Sequence, residues 1–327
     1  MHGHSSHTPP RLIVGVLHPI AERALNWSAA LAPVALPALL LGGFYFVVQG
    51  QGVCAVVALL LAAGVALSAW MHHVGARRLT TRRLAIDTGG RAAALRLAFV
   101  SDFHLGRYKD ARWLARVVAA VNAEQPDVVL LGGDFFFNRP PIEAPRLLAP
   151  LSDLRAPLGV LAVYGNHDLG LPGRNRRAEL DALLPTLGVR PLRNQVVGLR
   201  AAKRTGAQTW VAGMGELWEE DFDMPTVRDA YTRDGDDGPL IVLGHNPDAL
   251  DTLRDGDTAD LFLFGHTHAG QIYLPFWPGF GIPIRGKRYR GEHRVAQGRA
   301  YITSGVGETS SSARLGTTCE VVVIEVS

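Results

Sequence analysis

Two long apolar runs near the N-terminus dominate the hydrophobic pattern of the chain. They cover residues 29–48 and 53–71, and each is close to the roughly 20 apolar residues that cross a bilayer as an α-helix. Residues 24–76 contain no Asp, Glu, Lys or Arg, and the uncharged residues 49–52 separate the runs. The pattern predicts a tight hairpin of two transmembrane helices. Two alternatives, buried helices of a soluble core and a cleaved secretory signal, fit the length and position of the runs less well.

Eight shorter apolar runs, several of them rich in β-branched residues, follow in the rest of the chain. They cover residues 95–100, 127–133, 159–165, 209–215, 239–245, 260–266, 299–305 and 320–326. Several are continuously apolar rather than alternating, which is typical of strands covered on both faces. Amphipathic segments at residues 110–125, 176–187 and 247–254 predict helices between some of these strands. The order predicts an α/β domain with helices outside the sheet.

Positive charges flank the predicted hairpin, and the loop between its helices has none. The flanking residues are Arg11, Arg23, Arg77, Arg78, Arg82 and Arg83. Because cytoplasmic flanks of membrane helices carry an excess of Lys and Arg, both ends of the hairpin are expected in the cytoplasm. These arginines also account for much of the formal net charge of +3, and we expect them to contact anionic lipid head groups rather than nucleic acid.

Polar side chains follow five of the predicted strands directly. They are Asp102 and His104, then Asp134, then Asn166, His167 and Asp168, then His245, and last His266 and His268. Ligand crevices of α/β sheets form at the carboxyl ends of the strands. Each residue alone could cap a turn or form a hydrogen bond in the core. Five strand ends that bring acids, an amide and imidazoles to one rim indicate a bound cation.

The donor types indicate which cations would bind. Asp, Asn and His without Cys suit Mn, Fe or Zn, are compatible with Mg or Co, and argue against a structural thiolate zinc site. Seven donors exceed what one ion with an open position for substrate needs, so two divalent ions are expected. Such a pair holds the oxygens of a phosphoryl group and activates a water, which attacks as hydroxide. Cys54 and Cys319 form no disulfide framework, which is consistent with a reducing compartment.

The ordered motifs D-x-H, G-D, G-N-H-D, G-H and G-H-T-H resemble the calcineurin-like metallophosphoesterase superfamily over about residues 95–326. The resemblance implies a four-layer α/β/β/α sandwich with a di-metal centre. It also implies that one ion is held by Asp102, His104 and His268, the other by Asn166, His245 and His266, and that Asp134 bridges them. His167 would be unligated and would protonate the leaving oxygen, whereas Asp168 would either orient His167 or cap a turn.

The segments GHNPD, GHTHAGQIYLP, SGVG and ARLG resemble a bacterial membrane-associated, phosphodiesterase-like branch of that superfamily. This resemblance implies a phosphodiesterase or pyrophosphatase at the bacterial inner membrane. Its substrate would be a phosphorylated small molecule or a lipid-linked compound such as UDP-2,3-diacylglucosamine. Ala269 stands where that branch commonly has glycine, and residues 317–320 replace a proline-rich stretch. Neither departure affects a proposed ligand, but both leave the substrate open.

The expected organisation has four parts. They are a flexible tail at residues 1–26, a transmembrane hairpin at 27–73, a basic juxtamembrane linker at 74–93 and the phosphoesterase domain at 94–327. Arg107 and Arg174 lie on predicted rim loops and are expected to bind the substrate phosphate, although solvated surface arginines are equally compatible.

Two other functions stay open. A nuclease of the same superfamily is disfavoured, because the domain has no basic face interleaved with aromatic residues. A catalytically inactive, metal-binding membrane scaffold is disfavoured because metal binding alone would not need His167. Nothing in the sequence predicts the oligomeric state.

Overall fold

The N-terminal part of the chain is a helical hairpin. The computed structural model describes residues 17–91, 94–137, 144–200, 208–234, 238–274 and 282–327, and the hairpin consists of α1 (Leu17–Val48) and α2 (Gly52–His73). The hydroxyls of Ser28 and Ser68 lie 2.7 Å apart across the helix pair, and Ser68 also donates to the carbonyl of Leu25. Polar side chains therefore fix the pairing of the two helices at the end nearest the domain.

Both helices of the hairpin are long and apolar enough to cross a membrane, over Arg23–Val48 and Gly52–Arg77. Only 11% and 22% of their most apolar stretches are buried, so they are not core helices of the domain. Helix α1 begins at Leu17, ten residues before the expected start of the hairpin, so part of the expected flexible tail is helical. The physical reason is that the residues before the apolar run include Ala, Leu and Glu, which favour helix without being apolar throughout.

The segment expected to be a basic linker contains a strand of the domain. After a 3₁₀ turn at Gly75–Arg77, β1 (Leu79–Ile86) pairs in parallel with β12 (Cys319–Val326). Leu84 and Ile86 are buried in the core, whereas Arg82 and Arg83 are exposed, as an edge strand with one covered end allows. Arg83 contacts Glu124 at 2.7 Å, and Arg82 lies 3.7 Å from Glu292. Two of the arginines assigned to the membrane surface therefore pair with carboxylates of the domain.

The first sheet has the strand order β1-β12-β2-β3-β4-β5. Its strands are parallel except where β12 pairs with β2 in the opposite direction. The four strands not yet given are β2 (Leu95–Val100), β3 (Val128–Leu131), β4 (Val160–Ala162) and β5 (Val189–Pro191).

The second sheet has the strand order β10-β11-β9-β8-β7-β6. Its four inner strands are parallel, and each edge strand is antiparallel to its neighbour. The strands are β6 (Gln195–Leu199), β7 (Thr209–Gly213), β8 (Leu240–Leu243), β9 (Ala259–Phe264), β10 (Gly291–Val295) and β11 (Gly298–Ile302). All eight predicted strands are confirmed, and the four that were not predicted are the edges of the two sheets.

Three hydrophobic cores divide the domain into four layers. The outer face of the first sheet packs against α3 (Ala111–Ala123), α4 (Ala144–Leu148) and α5 (Arg177–Leu183). A second core, with Phe99 and Leu130 on one side and Leu243 and Leu263 on the other, lies between the sheets. The third core lies under α6 (Met224–Asp234) and the 3₁₀ segment Pro247–Asp251. The expected α/β/β/α sandwich is confirmed.

Two of the three predicted helices are shorter than expected. The helix predicted at residues 176–187 is α5 followed by a 3₁₀ turn at Leu184–Leu187, because Pro185 lacks the backbone N–H that an α-helix needs there. The segment at residues 247–254 is the 3₁₀ segment, with Pro247 at its first position. The third prediction, residues 110–125, is confirmed as α3, whose first turn is capped by the side chain of Asp110.

The pairing of β1 can be tested with two proline variants. Cys319 and Ser327 donate to the carbonyls of Arg78 and Ile86, and ladder bonds recur at every second residue, so Arg82 faces β12 and Thr81 faces the open edge. We expect Arg82→Pro to lower the free energy of unfolding by about 1 to 3 kcal/mol, because a buried acceptor loses its donor. Thr81→Pro, equally exposed, should change it by less than about 1 kcal/mol. Chemical denaturation in detergent measures both, and equal losses would refute the pairing.

Candidate metal centre

The predicted polar side chains meet where the two sheets adjoin. The loops after β2, β3 and β4 come from the first sheet, and those after β8 and β9 come from the second. The backbone N–H of His266 donates to Asp102 Oδ1 at 2.8 Å, which joins the two sheets directly. A Cβ at Gly265 would lie 2.2 Å from the hydroxyl of Ser101, so only glycine permits this approach.

Five of the predicted ligands have left-handed backbone conformations. The φ angles are +56° at Asp102, +46° at His104, +55° at Asp134, +70° at His266 and +51° at His268. Residues other than glycine rarely adopt this region, because their Cβ atom clashes with the neighbouring carbonyl oxygen. Backbone strain of this kind persists only where the surrounding structure enforces it, and it concentrates at functional sites.

One donor set consists of Asp102, His104 and His268, whose ligating atoms all lie within 4.8 Å of one another. The Nε2 atoms of His104 and His268 face each other at 3.0 Å, and His268 Nε2 lies 3.7 Å from Asp102 Oδ1. At most one of the two facing nitrogens can donate a hydrogen bond to the other. Without an ion, one ring can donate to the other, and the same separation also fits two ligands of one cation.

A second donor set surrounds Asn166 Oδ1. This atom lies 2.8 Å from His266 Nδ1 and 3.2 Å from His245 Nε2. His245 Nε2 in turn lies 3.2 Å from Asp134 Oδ2, and the donor atoms of Asp134, His245 and His266 fall within 4.8 Å of one another. Asp134 Oδ2 is also 3.3 Å from His104 Nε2 in the first set, so one carboxylate joins the two donor sets.

The outer nitrogens of three imidazoles orient the rings toward these sets. His245 Nδ1 donates to the carbonyl of Gly132 at 2.7 Å, His266 Nε2 to Pro283 at 3.0 Å and His268 Nδ1 to Gly307 at 3.2 Å. Backbone carbonyls only accept, so each bond fixes a proton on the outer nitrogen. Burial lowers the pKa of His266 and of His268 and so favours the neutral ring, whose inner nitrogen carries a lone pair, as in metal-ligating histidines.

The donor atoms fit divalent cations. Neighbouring ligands about 2.0 to 2.2 Å from one ion lie about 2.9 to 3.4 Å apart, and the separations of 3.0, 3.2 and 3.3 Å given above match. Asp102 Oδ2 and His104 Nδ1 are buried and have no hydrogen-bond partner among the described residues. Burial raises the pKa of Asp102, so a proton or a cation must compensate this carboxylate, and a cation in the donor set would do so.

The pKa values of Asp134 and His245 also indicate that a positive charge compensates the Asp134 carboxylate. Burial opposes ionisation of Asp134, but the imidazoles of His245 and His167 outweigh burial and hold the pKa of Asp134 well below its usual range. Against burial, the Asp134 carboxylate raises the pKa of His245 to about 10. A protonated His245 or a metal ion supplies the same compensating charge. Burial lowers the pKa of His266 to about 3, so that ring is neutral and offers a lone pair.

His167 lies at the edge of both donor sets. Its backbone N–H donates to Asp134 Oδ1 at 2.9 Å, and its ring centre is 5.0 Å from that of His104. One of its ring nitrogens also lies within 4.8 Å of donor atoms of His104 and Asp134. Its Nδ1 has no described partner, and burial lowers its pKa to about 4. The ring is half-buried, so it is the histidine of this cluster that a substrate can reach.

Asp168 contacts the backbone rather than the His167 ring. Its carboxylate accepts hydrogen bonds from the backbone N–H groups of Asp134, Phe135 and Gly165 at 2.8, 2.9 and 3.0 Å. Burial and the nearby Asp134 raise the pKa of Asp168 to about 7. Of the two roles expected from the sequence, these contacts correspond to fixing a turn. The turn in question carries Asp134.

The two predicted substrate-binding arginines occupy different positions. The guanidinium carbon of Arg107 lies 5.9 Å from the ring centre of Phe137, which in turn stacks on His167 at 5.5 Å. Arg174 is exposed on the loop after the G-N-H-D motif. Arg107 thus lies one aromatic ring away from His167.

Three residues near the site were not predicted. Glu216 follows β7 directly and is buried, and burial raises its pKa to about 7. The edge of the Trp218 ring lies against His266, with ring centres 4.8 Å apart. The fully buried Arg314 donates to the carbonyl of Gly307, which also accepts from His268. The rule that found the ligands, a polar residue directly after an apolar strand, also applies to Glu216.

Several known proteins have sequences similar to this chain. A family model for calcineurin-like phosphoesterases matches residues 95–270. The chain is 30% identical over 263 residues to phosphodiesterase YaeI of Escherichia coli, covering 78% of this chain and 91% of that protein. It is 29% identical over 279 residues to the UDP-2,3-diacylglucosamine pyrophosphatase LpxG of Chlamydia trachomatis, covering 72% and 83%. A transmembrane protein with a metallophosphoesterase domain from Danio rerio is 30% identical over 234 residues, covering 69% and 52%.

The close approach at Gly165 provides a test of the site geometry. A Cβ there would lie 2.1 Å from Asp134 Oδ1, so we expect Gly165→Ala to displace the shared carboxylate and reduce the bound metal to less than half of the wild-type content. Gly159→Ala, at the other end of β4, meets no atom within 4 Å but has φ +98°, so it should lower stability by about 1 kcal/mol and keep its metal. Elemental analysis of the purified proteins measures the metal content. Full metal in Gly165→Ala would contradict the proposed geometry.

Proposed function

Because the chain belongs to the calcineurin-like phosphoesterase family and is a metal-dependent phosphoesterase, we propose that it hydrolyses a phosphodiester or pyrophosphate bond while anchored in a membrane. The observation that carries this proposal is the pair of donor sets joined by Asp134 Oδ2. The proposed ligands are Asp102, His104 and His268 for one ion, Asn166, His245 and His266 for the other, and Asp134 for both.

Two divalent ions bound there would lower the pKa of a water and neutralise charge on the phosphate oxygens. The oxygen and nitrogen donors suit Mn, Fe or Zn best, with Mg or Co compatible. The chain's own groups supply the rest of the reaction. Asp168 holds the backbone of Asp134 in place through three hydrogen bonds, so it acts as a positioning residue rather than in the reaction itself.

His167 is the proposed general acid. Burial keeps its imidazole neutral, with a pKa of about 4, when no substrate is bound. A phosphate anion beside the ring raises that pKa, so the ring takes up a proton only with substrate in place. It then donates this proton to the leaving oxygen. Arg107, one ring away across Phe137, and the exposed Arg174 are proposed to hold other phosphate oxygens.

The proposed location is the bacterial inner membrane, with the domain in the cytoplasm. The support is the pair of exposed apolar helices and the arginines that flank them. The substrate proposed from the similarity to LpxG is a lipid-linked or nucleotide-linked phosphoester, for which UDP-2,3-diacylglucosamine is the first compound to assay.

The role of His167 can be separated from metal binding. With bis-p-nitrophenyl phosphate and added Mn, we expect turnover that chelation abolishes and that His167→Ala lowers by about 100-fold to 10,000-fold in kcat, as for loss of a general acid. The variant should keep its two ions. His293→Ala, a histidine of β10 whose ring bonds a carbonyl, is the matched control and should match wild type. Full metal with no turnover in the wild-type protein would support an inactive scaffold instead.

The membrane topology can be tested with two reporter fusions. Green fluorescent protein fused after Ser327 should fluoresce, and alkaline phosphatase at the same point should be inactive, because both report a cytoplasmic terminus. Fusions after Gln51, which retain one helix, should give the opposite pattern. Active alkaline phosphatase after Ser327 would place the domain in the periplasm.

A further inference from the structure

The junction between the hairpin and the domain contains a cavity of about 460 Å³. This volume lies within the range of about 300 to 1,000 Å³ typical of small-molecule sites. Two surfaces form it, one on the helices and one on loops of the domain. The lining residues that matter for its chemistry are Ala29, Ala30, Arg77, Arg107, Lys109 and Glu308.

The walls of the cavity are held by hydrogen bonds between the hairpin and the domain. His72 Nε2 lies 3.0 Å from Asn26 Oδ1, and the hydroxyl of Ser311 donates to the same oxygen at 3.1 Å. On the other side, Lys109 Nζ donates to the carbonyl of Ala76 at 2.5 Å. Because helix ends and domain loops fix each other here, the cavity exists before a ligand enters.

The charge of the lining favours an anion. Arg77, Arg107 and Lys109 contribute three positive charges. Glu308 is the carboxylate among the described lining residues, and it already contacts Lys109 at 3.4 Å and Arg314 at 3.2 Å. Since Glu308 is compensated twice, the exposed guanidinium group of Arg77 leaves the cavity net positive. Arginine binds phosphate oxygens in a bidentate manner.

The position of the cavity favours an amphiphile. Arg107 packs over Phe137, and the Phe137 ring stacks on His167, so the cavity lies one aromatic ring from the proposed general acid. On the opposite side, Ala29 and Ala30 belong to α1, whose exposed apolar surface continues to Val48. A molecule with phosphate at one end and acyl chains at the other would match both sides.

We propose that this cavity binds the phosphate-bearing head group of a lipid-linked substrate, while its acyl chains remain along the outside of the hairpin. A volume of 460 Å³ holds a head group but not two long acyl chains. The proposal rests on the proposed function for the turnover of that substrate, whereas binding in the cavity can be measured without turnover. Arg77 holds the phosphate, and the small side chain of Ala30 leaves room for the head group.

The experiment measures lipid binding by the full-length protein in dodecyl maltoside micelles, with radiolabelled dioleoyl phosphatidic acid as the probe. Arg77→Gln removes a phosphate-binding charge, and Ala30→Leu fills the cavity. Each should weaken binding at least tenfold. The matched controls are Arg78→Gln, an exposed arginine outside the described lining, and Ala38→Leu, an exposed alanine two turns further along α1, and both should bind within twofold of wild type.

Two competitors distinguish the possible ligands. Dioleoyl phosphatidylcholine, with the same chains, should compete poorly, and inorganic phosphate at millimolar concentration should not displace the probe. Equal binding by all variants, or equal competition by phosphatidylcholine, would show nonspecific lipid around the helices and overturn the proposal. Displacement by inorganic phosphate would overturn it in favour of a free-anion site. Hydrolysis of bis-p-nitrophenyl phosphate, measured in parallel, shows separately whether the proposed function fails.

Discussion

Charge compensation of two buried carboxylates is the constraint on which the rest of the site depends. Asp102 and Asp134 are almost wholly inaccessible to solvent, at the ends of adjacent parallel strands. An ionised carboxylate in such a position is unstable unless a cation or several donors lie beside it. Two imidazole nitrogens lie 3.2 and 3.3 Å from Asp134 and one lies 3.7 Å from Asp102, whose Oδ2 has no hydrogen-bond donor among the described residues. A proton or a cation must therefore compensate the Asp102 carboxylate, and the neighbouring donor atoms would allow a divalent cation to do so.

The loops of the two sheets approach each other so closely at the two carboxylates that only glycine fits at the points of contact. Glycines at positions 165 and 265 let the loops of the two sheets come within van der Waals contact of Asp134 and Asp102. Five of the seven proposed ligands adopt left-handed conformations, which cost free energy at each position. Three hydrophobic cores hold the strands that carry these loops, so the strain is supported by packing well away from the ligands.

The sequence predicted the buried strands of the fold correctly and missed the strands at the edges of the sheets. The eight predicted strands lie inside the two sheets, where both faces are covered and the runs are continuously apolar. The four edge strands pair on one side, so exposed residues interrupt their pattern, and β1 with its arginines resembled a linker. The candidate ligands were found because each follows an inner strand. The contacts of Asp168 with Asp134 and Phe135 could not be predicted, since these two backbone groups lie in a loop more than 30 residues away.

The loop from β11 to β12 joins the hairpin to the metal centre. Gly307, in this loop, accepts from His268 Nδ1 and from Arg314, and its N–H donates to the carbonyl of Asp102. The backbone N–H of Arg314 donates in turn to Met71 at the end of α2, and Gly75 packs against its carbonyl. Since Arg314 and Glu308 form a fully buried ion pair, this loop cannot shift without exposing or separating charges. The orientation of the hairpin and the orientation of a proposed metal ligand are therefore set by the same residues.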